Sequence, residues 1–498
     1  MDRRTFVNMA SAVSAAAWAS GVVRPRASLG AALDAALGAR GMPRGVFRKA
    51  VPVLPSKAQA AWQRRERAIF LHFGVNTFTG KEWGEGKEDP SIFAPAALDA
   101  RQWVRAAKQA GFASVVLTAK HHDGFCLWPS AATTHSVVSS PFRGGRGDVV
   151  REFTEACRAE GVGAGLYLSP WDRHEPSYGD TPRYNDYYER QLTELLTRYG
   201  ALTEVWFDGA NGEGPNGRRQ QYDWPRVHAT VRRLQPNALM FSDAGPDIRW
   251  IGNERGVAGD PNWCTVDPAA VPYPGADGPQ IIAALQHGDP AGTVWRPGEA
   301  DVSIRPGWFW RASEDAKVRS VDNLEQLYYS SVGRNANLLL NVPPSTQGLL
   351  GDADVRALSG FGARIAATFA TDLAVGAVMS ATQGGATAKA AADPDPDHAW
   401  FAGTGVTEAS IEFALEGPVR FDVIELREPI AAFGQTVESH EIAARTDGAW
   451  MVIARGTTIG NKRLHRMEPL TADAVRVTVR SARGDLRLSR LGLYARPR

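Results

Sequence analysis

The stretch "TEVWFDGANGEG", residues 203–214, runs an apolar segment, Val205-Trp206-Phe207, straight into Asp208 and then into a loop rich in glycine. A helical pattern precedes it ("YYERQLTELLTRYG", 187–200) and another follows it ("WPRVHATVRRLQP", 224–236). A short apolar run between two amphipathic helices is the signature of a strand in a parallel α/β domain. Asp208 is then either a solvated turn aspartate or a carboxylate presented where the strand ends.

The same alternation extends in both directions. "AIFLHFGV", "ASVVLTAK" and "VGAGLYLS" are strands before this one, and "LDARQWVRAAKQAG" and "VVREFTEACRAEG" are the helices between them. "ALMFSDAG", "DIRWIGNE", "DVSI" and "NANLLLNV" follow, with "NLEQLYYSSVGR" as the helix before the last strand. Eight such units over roughly 290 residues predict a (β/α)8-like, TIM-type barrel rather than an open sheet. After about residue 370, alternating runs such as "VRFDVIELRE", "AVRVTVRS" and "LRLSRLGLYA" predict a C-terminal β-sandwich. The expected organisation is a signal and the start of a linker over 1–30, the catalytic barrel over 31–372 and the sandwich over 373–498. The Ala/Gly/Thr/Asp/Pro-rich residues 380–398 read as a junction.

The chain has 498 residues, 44% of them hydrophobic, enough for a full core and two domains. Lys+Arg of 56 against Asp+Glu of 54 gives a formal charge of +2, without the basic excess that tracks a nucleic-acid backbone. Three cysteines with no CxxC pair offer neither a disulfide framework nor a Cys-ligated metal. At the N-terminus, "MDRRTFVNMASAVSAAAWASG" places Arg3-Arg4 before a short apolar stretch and Ala17-Trp18-Ala19. This resembles a twin-arginine export signal and is too short and alanine-rich to anchor in a membrane. The expected location is periplasmic or secreted, with no stable membrane insertion.

In a barrel the reactive side chains stand at the carboxyl ends of the strands. Those ends carry His72, His121-His122-Asp123, Tyr167 with Trp171, Asp172 and His174, then Trp206 with Asp208, Asp243 and Glu254. Metal hydrolysis could use the histidines, but His121 and His122 are adjacent rather than spaced H-x-H, so they point apart on a strand. Serine chemistry has no G-x-S-x-G elbow. Carboxylate chemistry remains, because Asp208 and Glu254 end different strands. Two carboxyls about 5–5.5 Å apart cleave a glycoside in two steps, one as nucleophile and one as acid, then base. Each has an ordinary reading too: Asp208 as a loop cap, Glu254 as the ion-pair partner of Arg249 or Arg255.

Seven motifs occur in order between residues 65 and 350: "FLHFGVNTFTGKEWGEG", "AKHHDGFCLWPS", "GLYLSPWDRH", "EVWFDGANGEG", "RWIGNE", "DVSIRPGWFW" and "NANLLLNVPP". Together they resemble glycoside hydrolase family 29, the α-L-fucosidases. The resemblance implies a retaining exo-hydrolase of terminal α-linked L-fucose that uses no cofactor and no metal, with a fucosylated oligosaccharide or glycoconjugate as substrate. It places the nucleophile on Asp208 and the fucose pocket on His72, Glu82, Trp83, His121, His122 and Tyr167. Trp206 lies beside the nucleophile, and Arg305 and Trp308 fall near the substrate. The G-N-E context of Glu254 resembles the branch active on α-1,3/1,4-linked fucose and makes Glu254 the acid/base, with Glu299 as its rival. Asp123, Trp128, Asp172 and Arg173 are expected to be scaffold. A fucose-binding protein without turnover would carry the same pocket.

Overall fold

The computed structural model describes residues 52–393, 395 and 397–497. The expected export signal lies outside the described residues. Eight parallel strands close into a barrel: β1 Arg67–Leu71, β2 Ser114–Lys120, β3 Gly163–Leu168, β4 Glu204–Trp206, β5 Leu239–Ser242, β6 Ile248–Trp250, β7 Gly298–Ser303 and β8 Ala336–Asn341. Each strand neighbours the next in sequence, and β8 closes on β1. Parallel strands covered on both faces are apolar throughout; β2, "SVVLTAK", is buried at every position.

The helices carry the reasons for their own boundaries. Asp99 caps α2 (Ala100–Gln109), Asp148 caps α3 (Val149–Glu160) and Asp223 caps α5 (Trp224–Leu234), each accepting from a first-turn backbone N–H. Gly161, in the left-handed region at φ 68°, ends α3. Helix α4 is Thr181–Arg198, α6 is Pro279–His287, α7 is Val321–Ser330 and α8 is Asp352–Thr368. One expected crossover is absent: β5 and β6 are joined by residues 243–247 without a helix. The short step closes because Met240 N donates to Asp247 Oδ2 (2.8 Å) and Asp247 N to Met240 O (3.2 Å).

The first helix of the described residues, α1 (Lys57–Arg65), plugs the floor of the barrel. Trp62 packs with Phe70, Val116, Tyr167, Trp206, Phe241 and Leu339 in the barrel interior. Its indole donates to Glu204 Oε2 at 3.1 Å, and its carbonyl accepts from Asn337 Nδ2 at 2.8 Å.

The C-terminal part is an antiparallel β-sheet domain. Its strands are β9 Val378–Ala381, β10 Ala409–Arg427, β11 Val437–Thr446, β12 Ala449–Gly456, β13 Arg463–Ala482 and β14 Arg490–Tyr494, in the order β9-β10-β13-β11-β12, with β14 also on β10. Breaks in the β10–β13 register between Ala414 and Val419, and again after Phe421, divide the long strands. β9 pairs with residues 411–414 of β10 and β14 with residues 423–427. Part of the stretch read as a junction, residues 380–398, belongs to the core of this domain. Ala388 and Ala391 are fully buried in the core of this domain with Trp400, the small side chains allowing close packing.

The domain docks on the amino-terminal end of the barrel strands. Glu66, just before β1, pairs with Lys462 (2.6 Å) and Arg427 (2.9 Å), and Asn335, just before β8, accepts from Asn461 N at 2.8 Å. Burial pushes the Glu66 carboxyl up, but Lys462 and Arg427 outweigh it and hold its pKa at about 2.

Candidate active site

At the opposite, carboxyl end of the strands, aromatic and imidazole rings form one contact chain. His121 lies between His122 (centroids 4.1 Å), His72 (5.4 Å), Phe309 (5.0 Å) and Tyr167 (5.8 Å, stacked). Trp308 joins it at His72 (5.0 Å), and Trp206 joins it at Tyr167 (5.3 Å). On the far side Trp171 packs on His122 at 4.9 Å and Trp83 on Trp171 at 5.8 Å. Asp208 enters from β4: Tyr167 donates to its Oδ2 at 3.4 Å, and Ala210 N donates to its Oδ1 at 2.7 Å.

The loop after Asp208 is glycine-rich because its backbone is pressed on both sides. A methyl group at Gly209 would lie 2.1 Å from Asp243 Oδ2, and one at Gly212 would lie 2.2 Å from the Trp171 ring. Trp171 also donates to Glu213 O at 3.0 Å.

Burial sets the charge state of the histidines. It lowers the pKa of His72 to about 4, against opposing contributions from Asn341 and Asp208. It drives His121 well below its ordinary value, with His122 and His72 adding to the effect. Both rings are therefore neutral at pH 7, each offering one donor and one acceptor. His72 Nδ1 meets Asn341 Oδ1 at 2.9 Å and His122 Nδ1 meets Ser169 Oγ at 2.7 Å. His121 Nδ1 is buried and has no hydrogen-bond partner among the described residues. Among the described residues, no three His, Cys, Asp or Glu side chains are grouped as a metal site.

Several side chains act through the framework. Glu82 accepts from Trp308 N at 3.0 Å and pairs with Arg311, so it holds the loop that delivers Trp308 and Phe309 instead of offering an open carboxylate. Arg305 is not at the pocket: its guanidinium is buried against Asp354 on α8, at 2.8 and 2.6 Å. Asp172 pairs with buried Lys120 at 2.9 Å, Trp128 donates to Glu194 at 2.7 Å, and Arg173 donates to Gly84 O. Asp123 accepts from Asn76 Nδ2 at 2.9 Å, and burial raises its pKa to about 7.

The two candidate acids sit at different depths. Glu254 is partly exposed in the loop after β6, two strands round the rim from Asp208. Asn253 shapes that loop, donating to Val257 O at 2.8 Å and accepting from Arg255 N at 3.0 Å. Glu299 is the second residue of β7, four residues below the rim and so roughly 13 Å down the strand. It is buried, accepts from Trp206 Nε1 at 3.1 Å, and its pKa is driven well up by burial and by Glu204. Glu299 is thus held inside the barrel by Trp206, whereas Glu254 stands in a loop at the carboxyl end of the strands. Trp171, Phe309 and Asn341 complete the site beyond the residues expected from sequence. Trp171 had a visible signal, its place after β3, and so had Asn341, the last residue of β8, whereas Phe309 depends on how a loop folds back.

Known proteins resemble this chain over most of its length. The alpha-L-fucosidase family profile matches residues 58–367, and an F5/8 type C domain profile matches residues 375–490. The chain is 45% identical over 450 residues to alpha-L-fucosidase 1 of Arabidopsis thaliana, covering 89% of this chain and 87% of that one. It superimposes on the crystal structure of SpGH29 with a TM-score of 0.85 at 40% identity, over 90% of this chain and 99% of that one. A Ruminococcus gnavus GH29 fucosidase solved in complex with fucose gives a TM-score of 0.81 at 34% identity, over 90% and 96% of the two chains. The chain belongs to the α-L-fucosidase family, glycoside hydrolase family 29.

Proposed function

We propose that this α-L-fucosidase removes terminal α-1,3/1,4-linked L-fucose from branched, Lewis-type glycans by a two-step retaining mechanism, with Asp208 as nucleophile and Glu254 as acid/base. The observation that carries the reading is the setting of Asp208. Tyr167 donates to its Oδ2, while neutral His72 and His121 line the same pocket and His121 Nδ1 has no partner among the described residues. A buried nitrogen without a partner costs about 1–3 kcal/mol, and a sugar hydroxyl recovers it.

In the first step Asp208 attacks the anomeric carbon as the glycosidic bond breaks, and Glu254 gives its proton to the departing oxygen. The Tyr167 hydroxyl leaves Asp208 as the carboxylate becomes an ester, and flat rings such as Trp206 flank the ring that carries the developing charge. In the second step the Glu254 carboxylate takes a proton from water, which attacks the ester-linked carbon. Fucose is released with its configuration retained, and Asp208 is regenerated.

The test is fucose release from a Lewis-type α-1,3/1,4 trisaccharide beside a 2-linked fucosyl-lactose. Preference for the branched substrate supports the reading. Activity on the 2-linked substrate or an aryl fucoside alone makes the enzyme broad in specificity and removes the support for Glu254, and fucose binding without turnover makes it a binding protein. We also propose export by the twin-arginine route, tested by sequencing the mature N-terminus of the exported protein and by changing Arg3-Arg4 to Lys-Lys, which should retain it in the cytoplasm.

A further inference from the structure

We propose that Tyr273 is the stacking platform for the sugar to which the fucose is attached. Among the described residues two aromatic side chains are counted as exposed, Tyr273 and Phe433. Phe433 belongs to the C-terminal domain and is covered by the Arg487 guanidinium, 4.1 Å from its ring centre. Tyr273, 59% exposed, belongs to the barrel mouth.

Its position follows from the backbone two residues on. Gly275 N donates to Asp243 Oδ2 at 2.9 Å, and Asp243 directly follows β5. A methyl group on Gly275 would stand 2.1 Å from Gly209 O, so the two glycine backbones are in contact and Gly209 is bonded to Asp208. Tyr273 is therefore within about 7 Å of chain from the peptide that follows the nucleophile.

The loop is built to hold a ring in place. Pro272 and Pro274 fix the backbone on both sides of Tyr273. Val271, Pro274 and Ala276 of the same loop are buried, and Ala276 N donates to Tyr273 O at 3.1 Å. An exposed ring on an anchored loop loses little freedom when a ligand covers it. The ligand chemistry is that of a pyranose, whose C–H face packs on a flat ring and whose hydroxyls can meet the phenol. Trp171 packs on the same loop at Gly212 and Trp83 packs on Trp171, whereas the Tyr273 loop meets it at Gly209.

This rests on the fucosidase reading, and the experiment separates the two. Tyr273→Ala and Tyr273→Trp are assayed on whichever fucosyl oligosaccharide the wild type cleaves and on α-L-fucosyl fluoride, which has no second sugar. Tyr273→Ala is expected to raise KM about tenfold on the oligosaccharide with kcat little changed, to leave the fluoride kinetics unaltered, and to be rescued by Trp. Unchanged oligosaccharide kinetics, or an equal loss on both substrates, overturns the platform. Failure of the linkage reading is seen in the wild type alone, whereas failure of the platform is seen only in the variants.

Discussion

The Tyr167 hydroxyl donates to Asp208 Oδ2 at 3.4 Å, from a strand next to the one that ends in Asp208. A hydrogen bond from a fixed donor holds a carboxylate in one orientation. Tyr167→Phe is therefore expected to lower kcat about tenfold, with the fold intact. An unchanged kcat would remove Tyr167 from the mechanism.

The two-step chemistry gives Asp208 and Glu254 opposite signatures with azide. Asp208→Ala should lose at least three orders of magnitude in kcat, about 4 kcal/mol of transition-state stabilisation. Azide attacks the α-fucoside directly in that variant and gives the β-fucosyl azide. In Glu254→Ala, a substrate with a good leaving group still forms the ester on Asp208, and azide opens it to the α-fucosyl azide. NMR of the products distinguishes the two; no azide product from Glu254→Ala would exclude the assignment.

Trp206 ties the floor of the site to the barrel interior. Its indole is the donor to Glu299 Oε1, and Glu299 Oε2 has no partner among the described residues. Trp206→Phe keeps a ring on Phe241, now 4.1 Å away in parallel stacking, but leaves the buried carboxyl without its donor. A loss of about 1–3 kcal/mol is expected, read as a fall of several degrees in Tm.

Asp123 links stability to pH in a direction that can be worked out. Burial raises its pKa from 3.8 to about 7, so the folded protein keeps a proton that the unfolded chain has lost. Its contribution is fully present below pH 3.8 and is lost as pH rises through 7. Asp123→Asn cannot lose that proton, so the variant should gain on the wild type between pH 4 and 8, by on the order of 4 kcal/mol at most. Thermal melts at pH 5 and pH 8 measure it; a constant difference between the two proteins would refute the linkage.

Parallel strands buried on both faces are apolar runs, and that is why all eight were readable in order from the sequence. Their ends were readable because polar residues interrupt the runs there, which brought out His72, His121, His122, Asp208 and Glu254. Depth was harder to see. Glu299 entered as a rival acid through the family resemblance, with strand seven read only as "DVSI"; the strand begins at Gly298 and carries Glu299 inside the barrel. Arg305 was misplaced for a similar reason, since its partner Asp354 is 49 residues away and only the fold brings it near. Composition also misled at residues 380–398, where alanines that resemble a spacer are packed in a core.

The docking of the C-terminal sheet through Glu66, Lys462 and Arg427 gives the molecule a front and a back. An enzyme tethered through that sheet, to a bead or to a polymer, would keep its mouth turned outward. Large glycoproteins could then approach it as readily as short oligosaccharides, without the support standing in the way.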